Sequence, residues 1–156
     1  KAKHSQVRLT IAGEGAGLPD ARNYVKEHQL QDVAFKGYVS ESAKEEAFLT
    51  SHCYLFPSHT EGMPLSVLEA MAYGLPVVTR PVGGIKDFFE DGKMGYATES
   101  MDGEVFAHLL EKLLESPADC ETIGAYNRQY AADHFAASRV ASWLLMVYKS
   151  LLQDCG

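Results

Sequence analysis

Glu61 and Glu69, with seven residues between them, are the side chains of this sequence best suited to chemistry. They bracket Gly62-Met63-Pro64-Leu65-Ser66, a run whose residue types suit the start of a helix. Glycine at 62 lets the backbone come close to a ligand. Proline at 64 gives up an amide that a helix start leaves unpaired anyway, and the amides of Leu65 and Ser66 are then free to point outward. A helix N-terminus presented in this way attracts anions. Glu69 lies about one and a half turns in, a rise of roughly 6–8 Å at ~1.5 Å per residue. Two carboxylates repel a phosphate, so they do not serve as its ligands. They serve as hydroxyl acceptors, and one carboxylate offers about four lone-pair sites, enough for two adjacent ribose hydroxyls. A nucleotide sugar has the matching layout, with hexose hydroxyls on one side of a pyrophosphate and ribose hydroxyls on the other. The same residues also have a purely structural reading, in which Ser66 and Glu69 form a capping box and Glu61 is a solvated loop acid.

Other candidates carry less. Gly13-Glu14-Gly15-Ala16-Gly17 invites a dinucleotide fingerprint, but the third glycine would fall at Leu18, and the following strand ends Phe35-Lys36 with no acid for a ribose. An ordinary tight turn lining a cleft is the expectation there. Gly83-Gly84 reads either as a turn before a short helix or as a backbone contact to substrate. His59 adjoins the proposed site, whereas His4, His28, His52, His108 and His134 have no ligand-like spacing, so neither a metal nor another cofactor is expected. Cys53, Cys120 and Cys155 are odd in number and lack a Cys-x-x-Cys pair, which suits a reducing compartment; Cys53 opens an apolar run and is read as core.

These residues need elements to hold them. The chain has 156 residues, one domain's worth, with 46% hydrophobic and 22% charged residues, which excludes disorder and low complexity. Its 14 Lys and Arg against 21 Asp and Glu leave a formal charge of -7, the wrong balance for a nucleic-acid partner. No apolar run approaches the roughly 18–20 residues of a membrane span. Val7–Ala12 alternates like a strand, Pro19–Leu30 has helical spacing, and Val33-Ala34-Phe35 is a second strand. A helix is expected from Ser40 or Ser42, with Ser42 and Glu45 as a capping box. Cys53-Tyr54-Leu55-Phe56, apolar throughout, is expected to be a buried central strand. A helix over Pro64–Tyr73, with proline in its first turn, leads to Leu75–Thr79, whose pairing should begin only after Pro76. Gly95–Thr98 is a further strand. The last third reads as three helices, with stripes at Val105, Phe106, Leu109, Leu110, Leu113 and Leu114, at Ile123, Tyr126 and Tyr130, and from Val140 to Leu151 after a cap at Ser138. The Trp143 and Tyr148 stripe is expected to pack, or to stay exposed if its partner lies in another domain. Strands alternating with helices indicate a doubly wound parallel sheet, whose ligands sit beyond the carboxyl ends of the strands.

The run from Glu61 to Val78, Glu-Gly-Met-Pro-Leu-Ser-Val-Leu-Glu-Ala-Met-Ala-Tyr-Gly-Leu-Pro-Val-Val, closely resembles the Glu-x7-Glu signature of GT-B retaining glycosyltransferases, family 4 (group 1) in particular. Ile11-Ala-Gly-Glu-Gly15, Phe35-Lys-Gly-Tyr-Val39, Phe56-Pro-Ser58, Val82-Gly-Gly-Ile85, Asp91-Gly92 and Gly95 follow in the family's order. The resemblance runs from about Val7 to Leu152 and implies a single Rossmann-like, donor-binding domain, the C-terminal half of such an enzyme. It implies that Glu61, the catalytic candidate, holds a hydroxyl of the transferred sugar, and that Glu69 holds the ribose. Gly62, Met63, Pro64, Leu65 and Ser66 would cradle donor sugar and diphosphate, while the backbone at Tyr38 and Val39, with Ser40, would meet the nucleobase. No metal is implied. Against the family pattern, the acceptor domain and the first strand and helix of the donor half, with the basic residues that neutralise the diphosphate, are not matched; Lys1, Lys3, Lys36, Arg80 and Lys86 fall at no basic motif position. The chain is therefore read as a piece that does not turn over alone, from an enzyme that is cytoplasmic or peripheral at the inner face of a membrane. A GT-B sugar-nucleotide epimerase and a non-catalytic domain that kept the fold are the alternatives.

Overall fold

The computed structural model describes residues 7–153, so Lys1, Lys3, His4 and Cys155 lie outside the described residues. Strands and helices alternate through β1 (Leu9–Ala12), α1 (Leu18–Glu27), β2 (Val33–Gly37), α2 (Glu41–Leu49), β3 (Tyr54–Phe56), α3 (Leu65–Ala72), β4 (Val77–Thr79), a 3-10 turn (Gly83–Asp87) and β5 (Gly95–Ala97). Three helices follow, α4 (Gly103–Glu115), α5 (Pro117–His134) and α6 (Ala137–Gln153). Each strand pairing among the described residues is parallel, as the alternating pattern requires. The strands fall into two sheets, and the chain forms two compact units that divide after Thr50.

In the first unit β1 pairs with β2, Leu9 opposite Val33 and Ile11 opposite Phe35. The alternation seen in the sequence appears as half-buried Val33 and Phe35 flanking exposed Ala34. The Gly13 amide donates to the Gly37 carbonyl at 2.7 Å, which ties the glycine-rich turn to the end of β2. Ser40 is the N-cap of α2 and makes no side-chain capping bond. The expected box of Ser42 and Glu45 therefore does not form: the helix has already begun at Glu41, which puts both residues inside it.

In the second unit the strand order is β3-β4-β5. Here the expectation of a central strand at Cys53–Phe56 is corrected. β3 lies at the edge of its sheet and is half-buried, whereas Val77, Val78 and Thr79 of β4 are fully buried at its centre. Pairing does start after Pro76, whose carbonyl accepts the Tyr54 amide at 2.9 Å. Successive side chains of a strand point to opposite faces, and the core divides accordingly. Val77 joins Val67 and Met71 of α3, Ile85 and Met94, while Val78 joins Phe106 and Leu113 of α4. Helix α5 reaches both groups, through Ala131 and Ile123. It also fixes the connections next to α3: the Asn127 amide donates to the carbonyls of Leu75 at 2.8 Å and Met94 at 2.9 Å, and Arg128 donates to the Tyr73 carbonyl at 3.1 Å.

Helix α4 is capped by Asp102, which accepts the Glu104 amide at 3.0 Å. Ser138 does not cap α6, because the helix begins one residue earlier. The stripe of α6 is not packed within the described residues: Trp143 is 57% exposed, Tyr148 60% and Leu151 56%. No described helix is long and apolar enough to cross a membrane.

Asn127 is fully buried and holds the strand entries of both β4 and β5. Asn127→Ala should lower the unfolding free energy by about 2–4 kcal/mol, since two buried carbonyls lose their donor. Urea denaturation with an unchanged slope checks this, and an unshifted midpoint would mean that these bonds supply nothing.

Candidate functional site

The segment from Ser58 to Pro64 leaves the carboxyl end of β3 and enters α3, while Arg80–Gly84 leaves the carboxyl end of β4. The two meet main chain to main chain. Gly83 has φ +54°, and a Cβ there would collide with the carbonyl oxygens of both Glu61 and Gly62. The Gly84 amide donates to the Gly62 carbonyl at 2.7 Å, and a Cβ on Gly84 would sit 2.6 Å from the Met63 methyl. Gly83-Gly84 opens the short 3-10 turn that one of the two readings expected, and these glycines are the seat of the Glu61–Met63 loop.

At the mouth of α3, Pro64 is the buried N-cap, one position earlier than the first-turn placement expected from the sequence. Its carbonyl accepts the Val67 amide at 3.1 Å. The amides of Leu65 and Ser66 are thus the ones no helix carbonyl can reach. Leu65 is 69% exposed, Met63 is 47% exposed, and nothing lies within 4 Å of where a Gly62 Cβ would be. With proline at the cap and no side-chain capping bond, Ser66 and Glu69 do not form a capping box. The structural reading of that pair is overturned, because both residues already lie within the helix.

Both glutamates are half-buried. The Ser58 hydroxyl donates to Glu61 Oε1 at 2.6 Å. The link between the two acids is Tyr54, the first residue of β3. Burial pushes its phenol above the usual value, a hydrogen bond from Ser66 pulls it back, and the charges of Glu69 and Glu61 both push it further up. Two carboxylates that act on one phenol share one neighbourhood. Sequence reasoning missed Tyr54 by reading it as core. The signal was its hydroxyl, since a phenol tip in an apolar strand needs a polar partner.

The remaining candidates are placed as follows. Tyr38 (80% exposed), half-buried Val39 and exposed Ser40 belong to the first unit, in the loop between β2 and α2. His59 is exposed and lines a depression of about 400 Å³ with Leu55, Pro57, Arg80, Met101 and Phe106; neither glutamate lines it. Burial and the neighbouring Cys120 push the Cys53 thiol up to about 11, which makes it a poor nucleophile and fits its reading as core.

The model of the family described as glycosyl transferases group 1 matches residues 1–130. The chain belongs to that family. Spore coat protein SA of Bacillus subtilis is 31% identical across 94% of this chain and 41% of its own length. The capsular polysaccharide biosynthesis glycosyltransferase CapM of Staphylococcus aureus is 27% identical across 98% of this chain and 40% of its own. Among solved structures, the pneumococcal O-GlcNAc transferase GtfA in complex with UDP and GlcNAc superposes with a TM-score of 0.71 at 25% identity, over 93% of this chain and 30% of that one. The chain thus spans about 40% of the length of these curated relatives. Its neighbours in structure are GT-B glycosyltransferases, in agreement with the parallel α/β architecture.

In this group 1 glycosyltransferase chain the glycine seat has a measurable consequence. Gly83→Ala should cost about 2–4 kcal/mol of stability, from left-handed strain plus overlap with the loop carbonyls. Gly62→Ala, with open space around it, should stay within about 1 kcal/mol. Chemical denaturation of both variants checks the pair, and equal losses would refute the seat.

Proposed function

We propose that the chain binds a nucleotide-diphospho-sugar and positions it for transfer of the glycosyl group to an acceptor with retention of configuration. The observation that carries this reading is the mouth of α3, whose Leu65 and Ser66 amides no helix carbonyl reaches and which half-buried Glu61 and Glu69 flank along the chain. In this reading the diphosphate sits on the Leu65 and Ser66 amides, which supply the positive end of the helix dipole without a metal ion. Glu69 accepts both ribose hydroxyls. Glu61 accepts a hydroxyl of the sugar, and open Gly62 and exposed Met63 let the donor approach the main chain.

When the bond from the sugar to the diphosphate breaks, negative charge grows on the leaving phosphate oxygen. Amides already aimed at that oxygen stabilise it with no reorganisation. Both glutamates position hydroxyls, and neither is a general base. The acceptor, a glycan, a lipid or another hydroxyl compound, is bound mainly outside this chain, and the enzyme works on the cytoplasmic side. The capsular and O-GlcNAc transferases among the relatives support sugar transfer, and the UDP in one of those structures supports a nucleotide donor. Epimerase chemistry would need a base facing the sugar, and the position of His59 on a depression that neither glutamate lines weighs against it.

Glu69→Ala should weaken binding of UDP or GDP by about 1–3 kcal/mol, as the ribose hydroxyls lose a charged partner. Glu61→Ala should weaken the nucleotide sugar while leaving the nucleoside diphosphate nearly unchanged. Calorimetric titration of the chain with UDP, GDP and their hexose conjugates reads both. Equal losses on UDP and UDP-sugar would remove the sugar role from Glu61, and unchanged binding in Glu69→Ala would remove the ribose role.

A further inference from the structure

The Glu61 carboxylate is the terminus of a hydrogen-bonded series that begins on a different strand. Arg80, just beyond β4, donates from Nη1 to the Ser58 carbonyl at 3.3 Å and from Nη2 to the Glu99 carbonyl at 3.2 Å. Its guanidinium thereby ties the loop after β3 to the segment after β5. Its Nε is buried without a hydrogen-bond partner. Ser58 has one hydroxyl proton and two acceptors in range, Glu61 Oε1 at 2.6 Å and the Thr60 carbonyl at 3.3 Å. The shorter contact falls in the range of charge-assisted O–H to carboxylate bonds, so the proton goes to Glu61.

We infer that Ser58, held by Arg80, is a positioning residue for Glu61: its hydroxyl fixes one carboxylate oxygen and leaves the other to select the donor's sugar. This rests on the donor-binding reading above. A glutamate has three rotatable bonds, and on a loop next to glycine it would otherwise sample many rotamers. With Oε1 engaged, the carboxylate plane is set and the lone pairs of Oε2 point in set directions, and discrimination between hexoses follows from those directions. Positioning within a fraction of an ångström is what such a contact demands. The main chain of the loop is already set by Gly83-Gly84, so removal of the Ser58 hydroxyl should release the carboxylate without moving the loop.

The test titrates the full chain with UDP-glucose, UDP-N-acetylglucosamine and GDP-mannose against UDP and GDP, and reads the ratio of nucleoside diphosphate to nucleotide-sugar Kd. Ser58→Ala should reduce this ratio about three- to tenfold for the preferred donor, with the diphosphate Kd within about twofold of wild type. Ser58→Thr, which keeps the hydroxyl, should restore the ratio. Arg80→Lys, which can satisfy only one of the two carbonyls, should fall between. A normal ratio in Ser58→Ala beside a collapsed ratio in Glu61→Ala overturns the inference alone. Parallel loss of diphosphate and nucleotide-sugar affinity, unrelieved by Ser58→Thr, makes Ser58 structural and overturns it too. A Glu61→Ala variant with the wild-type ratio overturns the donor reading and this inference together.

Discussion

The second unit turns on a backbone-to-backbone contact that only residues without a Cβ permit. Gly83 and Gly84 lie against the main chain of Glu61–Met63, and the hydrogen bond from the Gly84 amide to the Gly62 carbonyl pins that loop. Because the loop is held through its main chain, the amides of Leu65 and Ser66 at the mouth of α3 are not needed to hold it. A binding loop held through its side chains would have to surrender the groups it needs for a ligand. The seat resolves that conflict, and the departure of α3 from the loop at Pro64 follows from it.

The helix is fixed at its other end as well. Arg128 and Asn127 of α5 take the carbonyls of Tyr73 and Leu75 as the chain leaves α3, and Val67 and Met71 anchor its inner face beside Val77. Strands of three residues expose few ladder bonds, so their stability must come from burial on both faces. β4 has that burial completely, and α5 supplies it by spanning both halves of the core. The mouth of α3 therefore rests on a frame of β4, α3 and α5.

Much of this was legible in the sequence where a residue type has one physical use. Pro76 marked where β4 could begin pairing, and the alternation from β1 to β5 specified parallel pairing. What misled was degeneracy. Cys53–Phe56 reads as a buried central strand because a strand covered on both faces and an edge strand packed by large aromatics have the same composition; Tyr54 and Phe56 are only half-buried. The two capping boxes satisfied a spacing rule that ignores where the helix starts, and starts at Glu41 and Leu65 placed both pairs inside. The contacts of Tyr54 and Arg80 were not legible because their partners lie in other segments, at separations no local pattern encodes; Ser58 lies three residues from Glu61, but in a loop, where no periodic pattern predicts the contact. The two glutamates and the helix mouth stood out because nine consecutive residues contain them.

Tyr54 also bears on how an acidic chain can host a diphosphate. With a formal charge of -7 and two glutamates beside the helix mouth, a third anion there would oppose phosphate binding at close range. Burial pushes the Tyr54 phenol above its usual value, a hydrogen bond from Ser66 pulls it back, and the charges of Glu69 and Glu61 add to the rise. A phenol brings no charge to this neighbourhood, while the dipole of α3 supplies a local positive end of about half an elementary charge. A phenylalanine would leave the Ser66 hydroxyl without that partner, and a carboxylate would add the very charge the site must avoid. A neutral hydroxyl meets both demands, which gives Tyr54 a place beside the proposed donor site.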